Sequence, residues 1–208
     1  MFHNCRSLNK HMKILSTDKA FFSATLLMLV ETWLLPSDEI ILNGFEVMRR
    51  IDCTDKRRPF GSILLVSESE VKNVKVLDSQ TYYEANSSLS VVSYLFKGIG
   101  ITFLYKSPLF KTANLILHLH STFEKFKVLH VQNCVVVGDF NINFMKISRD
   151  QDLLHNFMKE NKLTLRQNFT STTDYGTMID LCFSNINVVN CKVYESVTSD
   201  HKPLWFNL

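Results

Sequence analysis

Two short acidic motifs in the second half of the 208-residue chain contain residue types suited to hydrolytic chemistry. Gly138-Asp139-Phe140-Asn141 follows an apolar run typical of a buried strand. On an extended segment Asp139 and Asn141 would share one face. A carboxylate can align a water or bind a cation, and a nearby amide can contact a phosphate oxygen without repelling it. The motif therefore favours hydrolysis of a phosphate ester, although a strand that ends in a polar turn is the alternative.

The second motif, Ser199-Asp200-His201, supplies an ionisable base. An aspartate that accepts a hydrogen bond from an imidazole fixes its tautomer and raises its basicity. We predict this relation between Asp200 and His201. The imidazole could then take a proton from water or stabilise charge that develops at phosphorus. A surface or structural role is the usual one for a lone histidine, and we assign that role to the other histidines.

Glu31 directly follows the apolar run Leu26–Val30. A carboxylate at the end of a buried strand is unfavourable unless it is paired or bound to a cation. Mg²⁺ prefers one or two carboxylates together with waters and substrate phosphate. We therefore predict that Glu31 contributes to a Mg²⁺ site, with Mn²⁺ as the alternative cation.

Asp180 and Tyr105 are weaker candidates for the same chemistry. Asp180 interrupts an apolar run, so it must find a hydrogen-bond partner. That partner could be a catalytic amide or backbone that faces DNA, and a purely structural hydrogen bond is the competing explanation. Tyr105 lies at the end of a predicted strand, where its phenol could donate to a phosphate oxygen or simply form part of a rim.

A basic cluster lies in a predicted loop between Phe45 and Phe60. Its members are Arg49, Arg50, Lys56, Arg57 and Arg58. Such a cluster suits contact with backbone phosphates, and a solvated loop is the alternative. The formal net charge of +3 permits a polyanionic partner without requiring one.

Apolar periodicity predicts the elements that must position these residues. Runs rich in β-branched and long apolar residues predict strands at Leu26–Val30, Ser62–Val66, Leu89–Phe96, Ile99–Tyr105, Asn133–Val137, Leu181–Ser184, Cys191–Val197 and Leu204–Phe206. Gly98 and Gly100 predict a hairpin between the middle pair. Apolar residues at three- and four-residue steps predict helices over Ala113–Phe126 and Leu153–Met158, and less clearly over Asn9–Phe22. Strands interspersed with helices favour an α/β sandwich with mixed sheets.

Composition places the chain among ordinary globular proteins, with 46% hydrophobic and 21% charged residues. We predict one domain over residues 1–208, clipped at its N-terminus, because only three residues precede Asn4. A short opening strand would hold Asn4 poorly. The five scattered cysteines favour reduced thiols in an intracellular protein. The apolar stretch Ala20–Val30 is too short to span a bilayer, so we expect no membrane partner, and we see no targeting signal.

The order of the motifs resembles the endonuclease/exonuclease/phosphatase superfamily, and their sequences are most similar to the endonuclease domains of non-LTR retrotransposons and related mobile elements. In chain order they are Asn4-Cys5-Arg6-Ser7-Leu8, Glu31-Thr32-Trp33-Leu34, Phe60-Gly61-Ser62-Ile63, Tyr105-Lys106-Ser107-Pro108, Gly138-Asp139-Phe140-Asn141, Ile179-Asp180 and Ser199-Asp200-His201. The resemblance implies a four-layer α/β sandwich of two mixed sheets with helices on the outer faces. It also implies Mg²⁺-dependent cleavage of a phosphodiester.

The resemblance also implies roles for individual residues. Asn4 and Glu31 match the pair at the metal, with Glu31 as the direct ligand. The catalytic set that it implies is Tyr105 at the phosphate, Asp139 at the attacking water, Asn141 beside it, Asp180 in support, and Asp200 with His201 at the phosphate. Thr173 matches a threonine that contacts phosphate, with Thr172 almost as good a match. The general base stays open between Asp139 and His201.

The function that we predict is a DNA endonuclease that nicks one strand for a mobile element. DNA is the expected partner, with further domains of a mobile-element polyprotein, and the expected location is the nucleus. One rival is a phosphatase or phosphodiesterase of the same fold that acts on lipid or inositol phosphates, because fold does not fix substrate. The other is an inactive remnant that only binds nucleic acid.

Overall fold

The computed structural model describes residues 1–53, 60–187, 189–196 and 198–208. Its strands are β1 (Phe2–Asn4), β2 (Leu26–Val30), β3 (Phe45–Ile51), β4 (Ser62–Ser67), β5 (Val74–Glu84), β6 (Ser87–Phe96), β7 (Ile99–Lys106), β8 (Cys134–Asp139), β9 (Thr164–Leu165), β10 (Asp180–Ser184), β11 (Cys191–Val193) and β12 (Leu204–Phe206). Its helices are α1 (Leu8–Leu15), α2 (Lys19–Phe22), α3 (Thr112–Val128) and α4 (Arg149–Glu160), with a 3₁₀ helix at Glu68–Asn73.

The strands form two six-stranded sheets. The first sheet has the order β11-β12-β1-β2-β4-β3, and the second has the order β5-β6-β7-β8-β10-β9. Both sheets are mixed, because β1 runs parallel to β2 and β7 runs parallel to β8, whereas the other pairs are antiparallel.

The sheets pack face to face, and the helices cover their outer faces. In β2 the side chains of Leu26, Met28 and Val30 enter the core between the sheets, whereas Leu27 and Leu29 pack towards α1 and α2. Helices α3 and α4 cover the second sheet with residues such as Leu115 and Leu154. Because both faces of the strand are buried, its sequence is a continuous apolar run. The predicted four-layer sandwich is confirmed.

The helices agree with the predicted positions and differ in extent. The segment Asn9–Phe22 forms two short helices, α1 and α2, instead of one. At the start of α4 the hydroxyl of Ser148 accepts from the backbone N–H of Gln151 at 3.1 Å, which caps the helix. Within the described ranges the longest helix has 17 residues, and none combines the length and apolar character needed to cross a bilayer.

The predicted strands are present, and the polar edge strands were missed. Strand β11 is shorter than predicted and ends at Val193, and the predicted end at Val197 lies outside the described residues. The segment with Arg49 and Arg50, predicted to be a loop, is the edge strand β3. Strands β3 and β5 are half-exposed, so they lack the apolar run that marks a buried strand.

Candidate active site

Several strand ends meet at one edge of the sandwich. Asn4 ends β1, Glu31 follows β2, and Asp139 ends β8. The carboxyl ends of parallel neighbours lie at the same edge, which brings Asn4 beside the end of β2 and Tyr105 opposite Asp139. Strand β10 is antiparallel to β8, so it begins where β8 ends and pairs Asp180 directly with Asp139. The sheet topology thus collects these side chains.

Gly138 allows this arrangement, because β7 and β8 approach closely beside it. A Cβ atom at this position would lie 2.5 Å from the backbone oxygen of Leu104. Any larger residue would separate the strands and displace the adjacent Asp139. The glycine that precedes the aspartate therefore has a steric role.

Asn4 is buried at the centre of the site and joins two acidic side chains. Its Nδ2 donates to Oε1 of Glu31 at 2.8 Å and to Oδ2 of Asp139 at 2.9 Å. The hydroxyl of Ser199 donates to the backbone oxygen of Asn4 at 2.7 Å. Asn4 is fully buried, so the expectation that it would be poorly held is wrong. Three residues of strand suffice because side chains from distant segments anchor its end.

The partner of His201 is Asp180, and the predicted hydrogen bond from His201 to Asp200 is wrong. Nδ1 of His201 lies 2.9 Å from Oδ2 of Asp180 and 3.2 Å from Oδ1. Asp200 instead forms an ion pair with Arg6 at 3.0 Å. Neighbouring side chains on an extended segment point in opposite directions, so Asp200 and His201 diverge. This pairing also answers the question of what satisfies Asp180.

The hydrogen bonds leave Nε2 of His201 free to face a ligand. Nε2 lies 3.5 Å from Nδ2 of Asn4. The Asn4 amide has two N–H groups, and shorter contacts to Glu31 and Asp139 already use both. The imidazole is therefore held through Nδ1, and its other nitrogen is available.

Asn141 lines the site in an unusual backbone conformation, with a φ of 49°. Its backbone N–H donates to Oδ1 of Asp139 at 3.0 Å, and its side-chain amide donates to the backbone oxygen of Lys106 at 2.8 Å. Asp139 and Asn141 face the same space, as predicted, while Phe140 is buried. The turn after β8, rather than an extended segment, produces this arrangement.

The two candidate threonines have different surroundings. Thr172 is buried, and its hydroxyl accepts from the backbone N–H groups of Ile179 at 3.0 Å and Asp180 at 3.1 Å. Thr173 lines the cavity, and its hydroxyl lies 2.6 Å from that of Thr177. Of the two threonines, Thr173 is the one that lines the cavity, and its contact with substrate stays a prediction.

The carboxyl groups of Glu31, Asp139 and Asp180 lie close together at the floor of the site. Burial, the opposed carboxylate of Asp180 and the nearby Glu31 raise the pKa of Asp139 to about 8, against the effect of His201 and Asn4. Burial disfavours the charged form of His201, but Asp180 outweighs it and raises the pKa of the imidazole to about 9. Burial, then Glu31 and Asp139, also raise the pKa of Tyr105, so its phenol stays a donor.

This donor set fits a hard divalent cation. Glu31, Asp139 and Asp180 present buried carboxylate oxygens, which Mg²⁺ and Mn²⁺ favour. Ligand atoms of Asp139, Asp180 and His201 lie within 4.8 Å of one another. However, Nδ1 of His201 is already occupied by its hydrogen bond with Asp180. Glu31, whose carboxylate lies beside the neutral side chain of Asn4, is the position that would hold a cation.

The two described members of the basic cluster, Arg49 and Arg50, do not line this site. Arg50 donates to the backbone oxygens of Leu35 and Asp38 and pairs with Asp52, so it holds the loop after β2. Arg49 is exposed and donates to Ser79. Lys56, Arg57 and Arg58 lie outside the described residues. Phosphate binding by Arg49, Arg50, Arg57 and Arg58 stays a prediction.

The site opens into a cavity of about 470 Å³. Some of the residues that line it are not among the site residues predicted from the sequence. Arg6, Trp33 and Tyr175 line it beside Glu31, Asp139 and His201. Arg6 and Trp33 lie in the motifs of Asn4 and Glu31, but the sequence analysis assigns a role only to Asn4 and Glu31. Tyr175 follows Asp174 and precedes Gly176, a turn pattern that indicates a loop tip without indicating its location.

Comparison with known families identifies the type of protein. The model of a family described as endonuclease-reverse transcriptase matches residues 99–205, which include β7, β8, β10 and His201. The chain belongs to this family. Membership of the endonuclease-reverse transcriptase family confirms the predicted relation to the endonuclease/exonuclease/phosphatase superfamily, whose members hydrolyse phosphodiesters or phosphate esters. No curated protein sequence matches the chain.

Solved structures share the fold of this family member at low sequence identity. The 3'-5' exonuclease NExo from Neisseria meningitidis is 17% identical with a TM-score of 0.71, over 99% of this chain and 97% of that one. An AP endonuclease from Archaeoglobus fulgidus is 14% identical with a TM-score of 0.71, over 99% and 97%. A mannosyl-6-phosphatase from Bacteroides thetaiotaomicron is 12% identical with a TM-score of 0.63, over 99% and 97%.

Proposed function

We propose that the protein is a Mg²⁺-dependent DNA endonuclease that nicks one strand for a mobile element. The observation that carries the proposal is the convergence of Asn4, Glu31, Asp139, Asp180 and His201 in one buried, hydrogen-bonded cluster. DNA is then the partner, beside further domains of a mobile-element polyprotein, and the nucleus is the place of action. The description of the matched family supports this choice.

The chemistry is in-line attack of water on phosphorus, in which the water oxygen forms a new P–O bond while the opposite bridging P–O bond breaks. One end of the cut strand leaves as an alkoxide and takes up a proton to become a hydroxyl. Asp139 aligns the water and accepts its proton, because its carboxylate faces the cavity and is fixed by Asn4 and the backbone of Asn141. His201, held at Nδ1 by Asp180, donates from Nε2 to a phosphoryl oxygen. The geometry thus favours Asp139 over His201 as the base. Tyr105 supplies a further donor from the wall of the cavity.

Glu31 and Asn4 would hold the divalent cation, with Mn²⁺ as the alternative to Mg²⁺. When bound, the cation supplies positive charge that neutralises the developing negative charge on phosphate. The protein residues themselves fix the position of Glu31, through the hydrogen bond from Asn4, and exclude bulk water from its buried carboxylate.

The test is nicking of supercoiled plasmid in Mg²⁺. Loss of one preorganised donor lowers turnover by a factor on the order of 10²–10³, so we expect His201→Ala to leave little activity. His155→Ala, which changes an exposed histidine on α4, is the matched control and should nick as fast as the parent. Equal rates for the parent and His201→Ala would contradict the assignment.

Phosphate release and DNA binding, measured beside plasmid nicking, separate the proposal from its rivals. A phosphatase of this fold would release phosphate from soluble monoesters faster than it nicks plasmid. A remnant that only binds nucleic acid would show salt-sensitive DNA binding without metal-dependent cutting. Either result would overturn the nuclease proposal.

A further inference from the structure

Two exposed aromatic side chains line the same cavity as the catalytic cluster. Trp33 is 38% exposed and Tyr175 is 77% exposed, and both border the space beside Asp139 and His201. Aromatic rings usually contribute their large apolar area to a core or an interface. The rings of Trp33 and Tyr175 stay exposed beside the proposed phosphate site. This exposure indicates that the bound substrate covers them.

The backbone directs Trp33 outwards two residues after the acidic residue Glu31. Both residues have left-handed backbone conformations, with φ values of 54° for Trp33 and 49° for Glu31. Such values are unfavourable for a bulky residue and persist only where surrounding contacts impose them. Here the backbone N–H of Trp33 donates to the oxygen of Phe60 at 2.9 Å, and that of Thr32 to Gly61 at 3.3 Å. The fold therefore holds the indole at the mouth of the site.

Tyr175 lies at the tip of a tight, hydrogen-bonded turn. The backbone N–H of Thr173 donates to the oxygen of Thr177 at 3.1 Å, and the N–H of Gly176 donates to Thr173 at 3.2 Å. The N–H of Asp174 donates to the oxygen of Asp200 at 2.9 Å, which ties the turn to the segment that carries His201. The turn that carries the phenol ring at the cavity is thus hydrogen-bonded to the segment that carries His201.

We propose that Trp33 and Tyr175 form a stacking subsite for an unstacked DNA base beside the phosphate that is cut. The inference rests on the proposed nuclease function and adds a substrate class, DNA with an unpaired nucleotide at the cleavage position. Aromatic rings stack on bases of any sequence, but only where the face of the base is free. In a fully paired duplex the neighbouring bases cover both faces of each base. The subsite therefore binds a fully paired duplex more weakly than DNA with an unpaired nucleotide.

Binding is measured first, because it does not depend on cutting. The chain has two tryptophans, and Trp205 lies on β12 against a different cavity. A Trp205→Phe protein therefore reports on Trp33 alone. Single-stranded oligonucleotides with phosphorothioate linkages, which slow cutting, should quench its fluorescence in Mg²⁺ with a saturable curve. A hairpin that contains the same sequence fully paired in its stem should quench it much more weakly.

Variants then test each ring. Loss of one base–aromatic stack of about 1–3 kcal/mol corresponds to about 5- to 150-fold weaker binding. We expect this loss for Tyr175→Ala by quenching and for Trp33→Ala by fluorescence anisotropy of a labelled strand, with Trp33→Phe in between. Phe169→Ala is the matched control, because Phe169 is 68% exposed and is absent from the residues that line the cavity.

Cutting is compared on a duplex and on the same duplex with one unpaired nucleotide. The parent should cut the second faster, and Trp33→Ala and Tyr175→Ala should lose that preference. Equal quenching by the strand and the hairpin, or equal behaviour of Tyr175→Ala and Phe169→Ala, would overturn the subsite even if the parent nicks DNA. Selective quenching without any cutting would support the subsite and overturn the proposed nuclease instead.

Discussion

At the scale of single residues, the imidazole of His201 depends on a carboxylate far from it in sequence. Asp180 accepts from Nδ1 at 2.9 Å, and both side chains are buried. Removing one partner of such a buried ion pair strongly destabilises the protein, because the remaining charge stays buried without compensation. Asp180 therefore sets both the orientation and the protonation of His201.

Asp180→Asn should lower the nicking rate by a factor on the order of 10²–10³. It should also move the alkaline limb of the pH–rate profile to lower pH. Asp180 raises the pKa of His201 to about 9, so its replacement lets the imidazole lose its proton earlier. The measurement is plasmid nicking in Mg²⁺ over a pH series.

Asp200→Asn is the informative comparison for this variant. Asp200 pairs with Arg6, whose side chain is 46% exposed, and exposed pairs contribute only about 0–1 kcal/mol. We expect less than about a tenfold change in rate and an unshifted alkaline limb. If Asp200→Asn had the larger effect, the assignment of Asp180 as the partner of His201 in catalysis would be wrong.

At the scale of elements, the contact between β7 and β8 determines where Asp139 lies. The parallel pair places Tyr105 opposite Asp139, one residue after Gly138. The strands have no room for a side chain between Gly138 and Leu104. The strand pair and the active site therefore share one steric requirement.

Gly138→Ala should destabilise the protein by about 1–3 kcal/mol, because the added methyl group overpacks the contact with Leu104. The measurement is urea unfolding, and the folded variant should also nick DNA more slowly. Gly44→Asn is the control, since Gly44 has open space and a φ of 82°, which asparagine tolerates. An unchanged unfolding midpoint for Gly138→Ala would contradict the close approach.

At the scale of the whole molecule, the site lies between the two sheets. Asn4 and Glu31 come from the first sheet, whereas Asp139 and Asp180 come from the second. The hydrogen bond from Asn4 to Asp139 crosses between the sheets. The bond from His201 to Asp180 joins the segment before β12 to the second sheet. Site geometry and the packing of the sandwich are consequently coupled.

This coupling predicts how the stability of the metal-free protein depends on pH. The pKa of Asp139 rises from 3.8 to about 8 in the folded protein, and that of His201 rises from 6.5 to about 9. For both groups the contribution to stability is fully present below the ordinary pKa and is lost as pH rises through the folded value. In EDTA, the urea midpoint should therefore fall between about pH 6.5 and pH 9.

Three comparisons check the origin of that fall. Asp139→Asn removes one titrating group, so its midpoint should decline less over the same range. Mg²⁺ should reduce the decline in the parent, because a ligand that binds the folded state stabilises it and a cation favours ionised carboxylates. Glu31→Gln should weaken the effect of Mg²⁺. A midpoint in EDTA that stays constant with pH would contradict the proposed burial of these charges.

Much of the architecture is contained in local sequence patterns. The apolar runs of β2 and β8 mark strands buried on both faces, and the polar residues after them mark strand ends. The order of the motifs predicted the superfamily and the sandwich, and with them the meeting of Glu31, Asp139 and His201. The half-exposed strands β3 and β5 escaped prediction because a strand at the edge of a sheet needs no continuous apolar run.

Only the tertiary structure decided which side chains form hydrogen bonds and ion pairs with each other. The sequence placed Asp200 next to His201, yet backbone direction sends the two apart and sheet packing brings in Asp180. No sequence pattern indicates that Arg50 donates hydrogen bonds to the loop after β2, or that Tyr175 borders the cavity. Periodicity determines what is buried and where a strand ends, because it reflects local geometry. Contacts between side chains depend on the register and packing of strands that are distant in the chain, which no local pattern encodes.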